Sequence, residues 1–454
     1  MDKETKHDIL EKNANCVWQH MTNHAAGKAP IMVKGEGSYV WDINGKRYLD
    51  ASAGGVWCVN VGYGRESIAE AVKEQLVTLN YFAGSVGTPI SAQFSDKLLS
   101  KMPGFSRIYY ASSGSEANEK AYKMVRQISE KYYGGKKSKI LYRERDYHGA
   151  TITCLASSGQ EERRSQFGPF TPGFVEFPHC CEYRSQYGDV DNYTELSLNA
   201  LEEVILKEDP ETIGSIVVEP MTAGGGCIIP PEGYLQGVQA LCRKYNILLH
   251  VDEVVCGLGR TGKWFGYQHF DIQPDIVTLA KGVASAYAAI SCTVVTEEVF
   301  EKLNNRLDDR YGYFRDISTF GGCTAGPAAA LENVAIIERE GLVENSAKVG
   351  DYFMEKFAAL KEKHSIIGDV RGMGLLLGLE LVKDRVTKEP CDESVCMKIV
   401  GHCGKNGVII GRTNRSFLKY NNTIVLSPML NCTTEQADVI VEAMDNAFES
   451  LLEQ

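Results

Sequence analysis

The sequence predicts an α/β protein: a mostly parallel sheet flanked by helices, with a smaller α+β domain beside it. Three observations carry this prediction. The middle of the chain alternates short apolar runs with segments of helical periodicity. From about Leu331 the pattern changes to long amphipathic segments followed by short strands. The first residues carry a hairpin signal of their own.

Taken in chain order, Tyr39–Ile43 and Lys46–Leu49 flank the turn pair Asn44-Gly45, a strong short hairpin signal. Residues 1–65 are therefore assigned to the small-domain side. Ile213–Glu219 reads as a buried strand. Tyr234–Tyr245 follows as a helix, with Leu235, Val238, Leu241, Cys242 and Tyr245 at helical spacing. Ile247–Asp252 and Asp275–Leu279 are the next strands. Strands joined by such helices imply right-handed crossovers and a parallel sheet, here placed in residues 66–330. Ligands in such sheets sit at the carboxyl ends of the strands, which puts Asp252 and Lys281 where chemistry happens. Residues 331–454 supply the C-terminal small domain, with helices at Ala329–Glu340 and Asn345–His364 and strands at Gly368–Leu379 and Thr423–Leu426.

Composition bounds the function. The 454 residues are 44% apolar and 24% charged, with a formal net charge of −11, so binding nucleic acid through the overall field is not expected. A local basic pocket for a small anion stays possible. The charged N-terminus lacks the apolar core of a signal peptide, and the longest apolar stretches are broken, as Ile247–Val255 is by His250, Asp252 and Glu253. A cytoplasmic protein without a membrane span is the expectation. The 14 cysteines show no paired metal-ligand spacing, and Cys180-Cys181 is not a zinc knuckle, so neither a metal nor a disulfide framework is expected.

Three segments hint at chemistry. In Ala111–Asn118 (ASSGSEAN) a Gly/Ser turn enters a helix whose free N–H groups suit a phosphate at Gly114 and Ser115. A plain helix cap reads the same. Asp252 ends a buried strand and needs a partner, either a cofactor's protonated ring nitrogen or a loop N–H. Lys281 follows an apolar strand, where loss of hydration makes an amine nucleophilic, although a lysine reaching out to solvent has the same pattern.

Together and in this order, these segments resemble the class III (omega) aminotransferases of the type I pyridoxal 5'-phosphate (PLP) fold. The carrying motifs are SGSEAN (Ser113–Asn118), DYHG (Asp146–Gly149), VEP (Val218–Pro220), DEVVCGLGRTGKWFG (Asp252–Gly266), LAKG (Leu279–Gly282) and STFGG (Ser318–Gly322). The resemblance implies a seven-stranded sheet in the large domain and a small domain built from both ends of the chain. It implies PLP as cofactor, with Lys281 as the Schiff-base lysine that later carries the proton and Asp252 as partner of the ring nitrogen. Gly114 and Ser115 take the phosphate, Tyr147 stacks on the ring, Glu219 stands near it, and Val254 belongs to the same cofactor-binding set. Thr319 reaches the phosphate of the neighbouring subunit, which makes a homodimer the active unit and leaves a tetramer open.

The likeness is closer still to members that take taurine as amine donor and pyruvate as 2-oxo acid acceptor, on Ala53–Arg65, Arg143–Thr151, Glu219–Gly226 and Phe314–Pro327. Trp57 stands where the family places a substrate-pocket aromatic. The family's substrate-binding arginine falls in an irregular stretch, Gly411–Thr423, with Arg415 the first choice and Arg412 the second. After the lysine the chain departs from the family, carrying Ala286 and Ala289 where many members have Gly and Pro. Other readings are a β-alanine or general omega-amino acid aminotransferase, a PLP aminomutase or decarboxylase, and an idle binding protein of the same fold. A Rossmann dehydrogenase is poorly supported, because Gly257-Leu258-Gly259 follows an Asp and no GxGxxG is present.

Overall fold

The computed structural model describes residues 3–27, 30–304, 307–414 and 416–452. Its centre is a seven-stranded sheet in the spatial order Phe105–Ala111, Ser291–Thr296, Ile276–Leu279, Leu248–Asp252, Ile213–Val218, Lys139–Arg143, Phe174–Phe177. Ser291–Thr296 runs antiparallel to both of its neighbours, and the other adjacent pairs are parallel. Every residue of Ile213–Val218 and of Ile276–Leu279 is buried. That is why these strands read as continuous apolar runs: helices cover both faces of a parallel sheet.

The helix Gly114–Tyr133 lays Ala117, Ala121, Met124, Val125 and Ile128 on the sheet, and Gly134 ends it in the left-handed conformation (φ 57°). Tyr234–Lys244 buries Tyr234, Leu235, Val238 and Cys242 on the same core. Successive crossovers thus bring the carboxyl ends of the parallel strands to one edge of the sheet.

The two ends of the chain meet in a second sheet. Met32–Glu36, Tyr39–Asp42 and Arg47–Asp50 pair antiparallel, and Val408–Ile409 adds to Arg47–Asp50 in parallel. The Asn44-Gly45 turn is held by Asp42, whose Oδ1 accepts from the N–H groups of Asn44 (2.8 Å) and Lys46 (2.9 Å). After the helices Ala325–Arg339 and Leu342–Lys363 comes a third sheet containing Ile367–Met373, Leu376–Asp384, Thr423–Leu426 and Gly411–Arg412.

The stretch expected to be one strand, Gly368–Leu379, is instead a hairpin that turns at Gly374 (φ 54°). A Cβ on Gly374 would lie 2.4 Å from the carbonyl carbon of Thr261, so only glycine fits against that backbone. The unbroken apolar run Leu375–Leu377 hides the turn in the sequence. Among the described residues no helix is long and apolar enough to cross a membrane, and no cluster of His, Cys, Asp or Glu could hold a metal.

Candidate active site

A cavity of about 330 Å³ opens at the carboxyl edge of the large sheet. Gly114, Ser115, Tyr147, Glu219, Asp252, Val254 and Lys281 line it together, drawn from five separate strand ends. Such convergence of residues distant in sequence is what a parallel sheet provides at its carboxyl edge.

Asp252 is 3% exposed and fully engaged. Its Oδ2 meets His148 Nδ1 at 2.8 Å and accepts from Asn118 Nδ2 at 2.8 Å, while Oδ1 accepts from the N–H of Val254 at 3.0 Å. Burial alone would raise this carboxyl. The His148 hydrogen bond, the Val254 N–H and the Asn118 amide outweigh it, and Asp252 stays below the ordinary carboxylate range. A charged carboxylate only accepts, so His148 carries its proton on Nδ1. His148 Nε2 is buried with no partner among the described residues.

Glu219 behaves in the opposite way. Burial pushes its carboxyl well up, and the neighbouring Asp146 and Asp252 add to the shift. Its two oxygens accept from the N–H groups of Tyr147 (2.8 Å) and Ala223 (3.0 Å). Glu253, beside Asp252, is pushed by burial to about 8 and accepts from the N–H groups of Gly266 and Tyr267. A carboxyl held low thus sits beside carboxyls pushed up, the kind of divergence that marks functional sites.

At the other wall, Ser113 caps the helix Gly114–Tyr133 by accepting from the N–H of Glu116 at 3.2 Å. The plain cap and the anion cradle are thus the same feature: the first N–H groups of a helix lack partners inside it. A Cβ on Gly114 would stand 3.0 Å from Val254 Cγ1, which explains the glycine by close approach. Ser115 Oγ accepts from the N–H of Ala150 at 3.0 Å.

Lys281 follows Ile276–Leu279 by two residues and holds φ 39°, left-handed for a residue with a side chain. Its Nζ lies 5.5 Å from the centre of the Trp57 ring. Trp57 ends the turn Ala53–Trp57, itself built on Asp50, which accepts from Ser52 and from the N–H of Gly54. Ser285 (φ 47°) and Ala286 (φ 62°) continue the left-handed backbone, and Ala286 and Ala289 both face the cavity. Strained backbone of this kind persists where the surroundings over-determine it.

Other expected residues lie elsewhere. Thr319 is exposed, in the short turn Thr319–Gly322, and is not in the cavity lining. Arg412 pairs with Glu393 at 2.5 Å and does not line the cavity either. Arg415 lies outside the described residues. Sequence reasoning gave no role to Asn118 or His148. Asn118 had a usable signal, since it stands one helical turn after Gly114 and so shares its face. His148 had none beyond its place in DYHG.

The class III aminotransferase family model matches residues 22–448. The chain is 59% identical over 435 residues to the hypotaurine/taurine–pyruvate aminotransferase of Paracoccus denitrificans, covering 95% of each chain. It is 56% identical over 446 residues to the taurine–pyruvate aminotransferase of Bilophila wadsworthia, covering 98% of each. Among solved structures, a Bacillus anthracis aminotransferase superposes with a TM-score of 0.94 at 38% identity, over 99% of this chain and 100% of that one. The omega transaminase of Pseudomonas jessenii in complex with PMP superposes with a TM-score of 0.92 at 31% identity, over 98% of each chain. A cavity built at the strand ends, around one buried ionised aspartate and a lysine on strained backbone, is thus set in a chain that belongs to the class III aminotransferases.

Proposed function

We propose that this chain moves the amino group of taurine to pyruvate, releasing sulfoacetaldehyde and L-alanine. The observation that carries the reading is the likeness, over 98% of both chains, to the taurine–pyruvate aminotransferase of Bilophila wadsworthia. Hypotaurine is the second donor, because the Paracoccus relative is named for both.

PLP comes with the family, and the residues present fit it. The helix N-terminus at Gly114 and Ser115 suits its phosphate, with a glycine where a side chain would crowd Val254. Asp252, kept ionised, suits a protonated ring nitrogen. Tyr147, Val254 and Glu219 wall the space between, and Lys281 is the residue to bond with it. When bound, PLP supplies an electron sink conjugated to the donor's reacting carbon. The chain's own work is then positional. Lys281 Nζ takes the proton from that carbon. His148, Asn118 and the Val254 N–H hold the Asp252 carboxylate in place, and burial of Glu219 disfavours a second charge beside it. Trp57 closes the substrate side over Lys281. Arg415 is kept as the arginine for the substrates' anionic ends.

The reading extends to a homodimer working in the cytoplasm, with the chain divided at 65/66 and 330/331. Thr319 is exposed beside exposed Ile317 (81%) and Phe320 (69%), which supports a contact surface that delivers Thr319 to a neighbour's phosphate. A fully active monomer contradicts this. For the donor, kcat/KM is measured with pyruvate for taurine, hypotaurine, β-alanine and 4-aminobutyrate. Taurine and hypotaurine are expected to lead. Taurine about tenfold below 4-aminobutyrate contradicts the proposal.

A further inference from the structure

A sulfonate leaving water needs a cation, and charge-assisted hydrogen bonds are what hold one. Among the described residues the cavity lining has two acidic groups, Asp252 and Glu219, one lysine, Lys281, and no arginine; its histidine, His148, is engaged by Asp252. Lys281 must meet the donor's amine end, so the anionic end is held by something else.

Arg163, in the short helix Glu161–Arg164, is not itself in the cavity lining but packs against one of its walls. Its Nε donates to Gln160 Oε1 at 3.0 Å and its Nη2 to the carbonyl of Asn414 at 3.1 Å. Its guanidinium carbon is 5.0 Å from the ring centre of Tyr147, a wall of the cavity. A line of contacts joins it to the lysine. Lys281 Nζ is 5.5 Å from the Trp57 ring. A Cβ on Gly224 would stand 4.0 Å from Trp57 Cη2 and 3.3 Å from Gln160 Nε2, so Gly224 lies between the two side chains. Gln160 in turn holds Arg163. The next residue, Arg164, points elsewhere and donates to the Tyr142 hydroxyl at 2.7 Å.

We infer that Arg163 is a fixed second cation, in addition to the Arg415 proposed above, that holds the distal anion of the amine donor. The inference rests on the donor reading above. Taurine's sulfur is one bond further from its reacting carbon than pyruvate's carboxyl carbon is from its own. A second cation further out meets the longer substrate without displacing the group that meets the shorter one. Arg163 is therefore specific to the donor half of the reaction.

The test compares half-reactions of the wild type with those of Arg163→Ala and Arg163→Lys. The donors are taurine, β-alanine and n-propylamine, which has no anionic end, and pyruvate is measured separately. For Arg163→Ala, kcat/KM for taurine is expected to fall by about 30–100-fold, through KM, as for a lost charge-assisted hydrogen bond. The fall is expected to exceed that for n-propylamine or pyruvate by about tenfold or more. Arg163→Lys should recover most of it. Binding of ethanesulfonate, followed by calorimetry, should weaken in parallel in Arg163→Ala. Equal losses on taurine, n-propylamine and pyruvate overturn the inference, because they report a structural role, and so does an unchanged taurine value. A wild type that prefers β-alanine refutes the named donor alone, and Arg163 is then judged on β-alanine. A wild type that accepts no anionic donor refutes both.

Discussion

The floor of the cavity and its rim are built differently. On the floor Asp252 and Glu219, and behind it Glu253, are each 3% exposed or less, and each carboxyl accepts from at least one backbone N–H. At the rim, Tyr147 is half-buried, and so is Arg163 packed against it. The stretch Gly411–Thr423 is held partly by side chains of another loop: Ser416 Oγ donates to Gln160, and Asn421 donates to Glu162. Rigid strand ends can keep reacting groups in register to the fraction of an ångström that proton transfer at carbon requires. Loops can change their side chains without disturbing that register, so they carry the choice of substrate. On the proposed reading, the floor carries the chemistry common to aminotransferases and the rim the choice of amine.

The sharpest way to break this division is at Lys281. Lys281→Ala should abolish turnover with every donor, charged or not, and remove the visible absorbance of lysine-linked cofactor. Near wild-type transamination by this variant, without added amines, contradicts its role. Next comes Asp252→Asn. The amide is nearly the same shape, so folding should survive, but it cannot hold a ring nitrogen protonated by charge. A loss of about 10²-fold in kcat is expected for all donors alike. A loss confined to taurine would move Asp252 from the floor's work to the rim's.

A smaller effect concerns stability and pH. Burial pushes His250 down from 6.5 to about 3, and His179 likewise. Below pH 6.5 the unfolded chain binds a proton at each of these histidines that the folded chain does not. Stability therefore falls as pH drops from about 6.5 toward 3, by about 1.4 kcal/mol per pH unit for each histidine well below 6.5. His250→Asn should remove one such contribution from the slope, whatever it does to stability at pH 8. Denaturant melts at several pH values measure it, and an unchanged slope contradicts the assignment. The smallest effect is at Ala286, exposed at φ 62°. Ala286→Gly relieves the left-handed strain but gains freedom in the unfolded chain, for a net stabilisation of about 0.5 kcal/mol. A destabilised variant would show that the methyl group packs usefully at the rim.

The same division governs what the sequence disclosed. The strands Ile213–Val218, Leu248–Asp252 and Ile276–Leu279 were legible because burial on both faces forces apolar runs, and Asp252 and Lys281 stood out as the breaks in those runs. The turn at Gly374 was not legible, since the contact that demands glycine comes from Thr261, distant in sequence. His148 was missed for a related reason: its meaning lies in a 2.8 Å contact with a residue 104 positions away. Arg163 and Arg164 are indistinguishable as neighbours in a charged tetrad. Only the fold turns one toward Tyr147 and the other toward Tyr142.

The central claim, that taurine is the donor and pyruvate the acceptor, is tested most directly by following the nitrogen itself. Purified enzyme with PLP is given nitrogen-labelled taurine and pyruvate, and both products are measured by mass spectrometry. The account predicts labelled alanine and sulfoacetaldehyde in equal amounts. Alanine without the label, or sulfoacetaldehyde absent while labelled taurine stays intact, would contradict it.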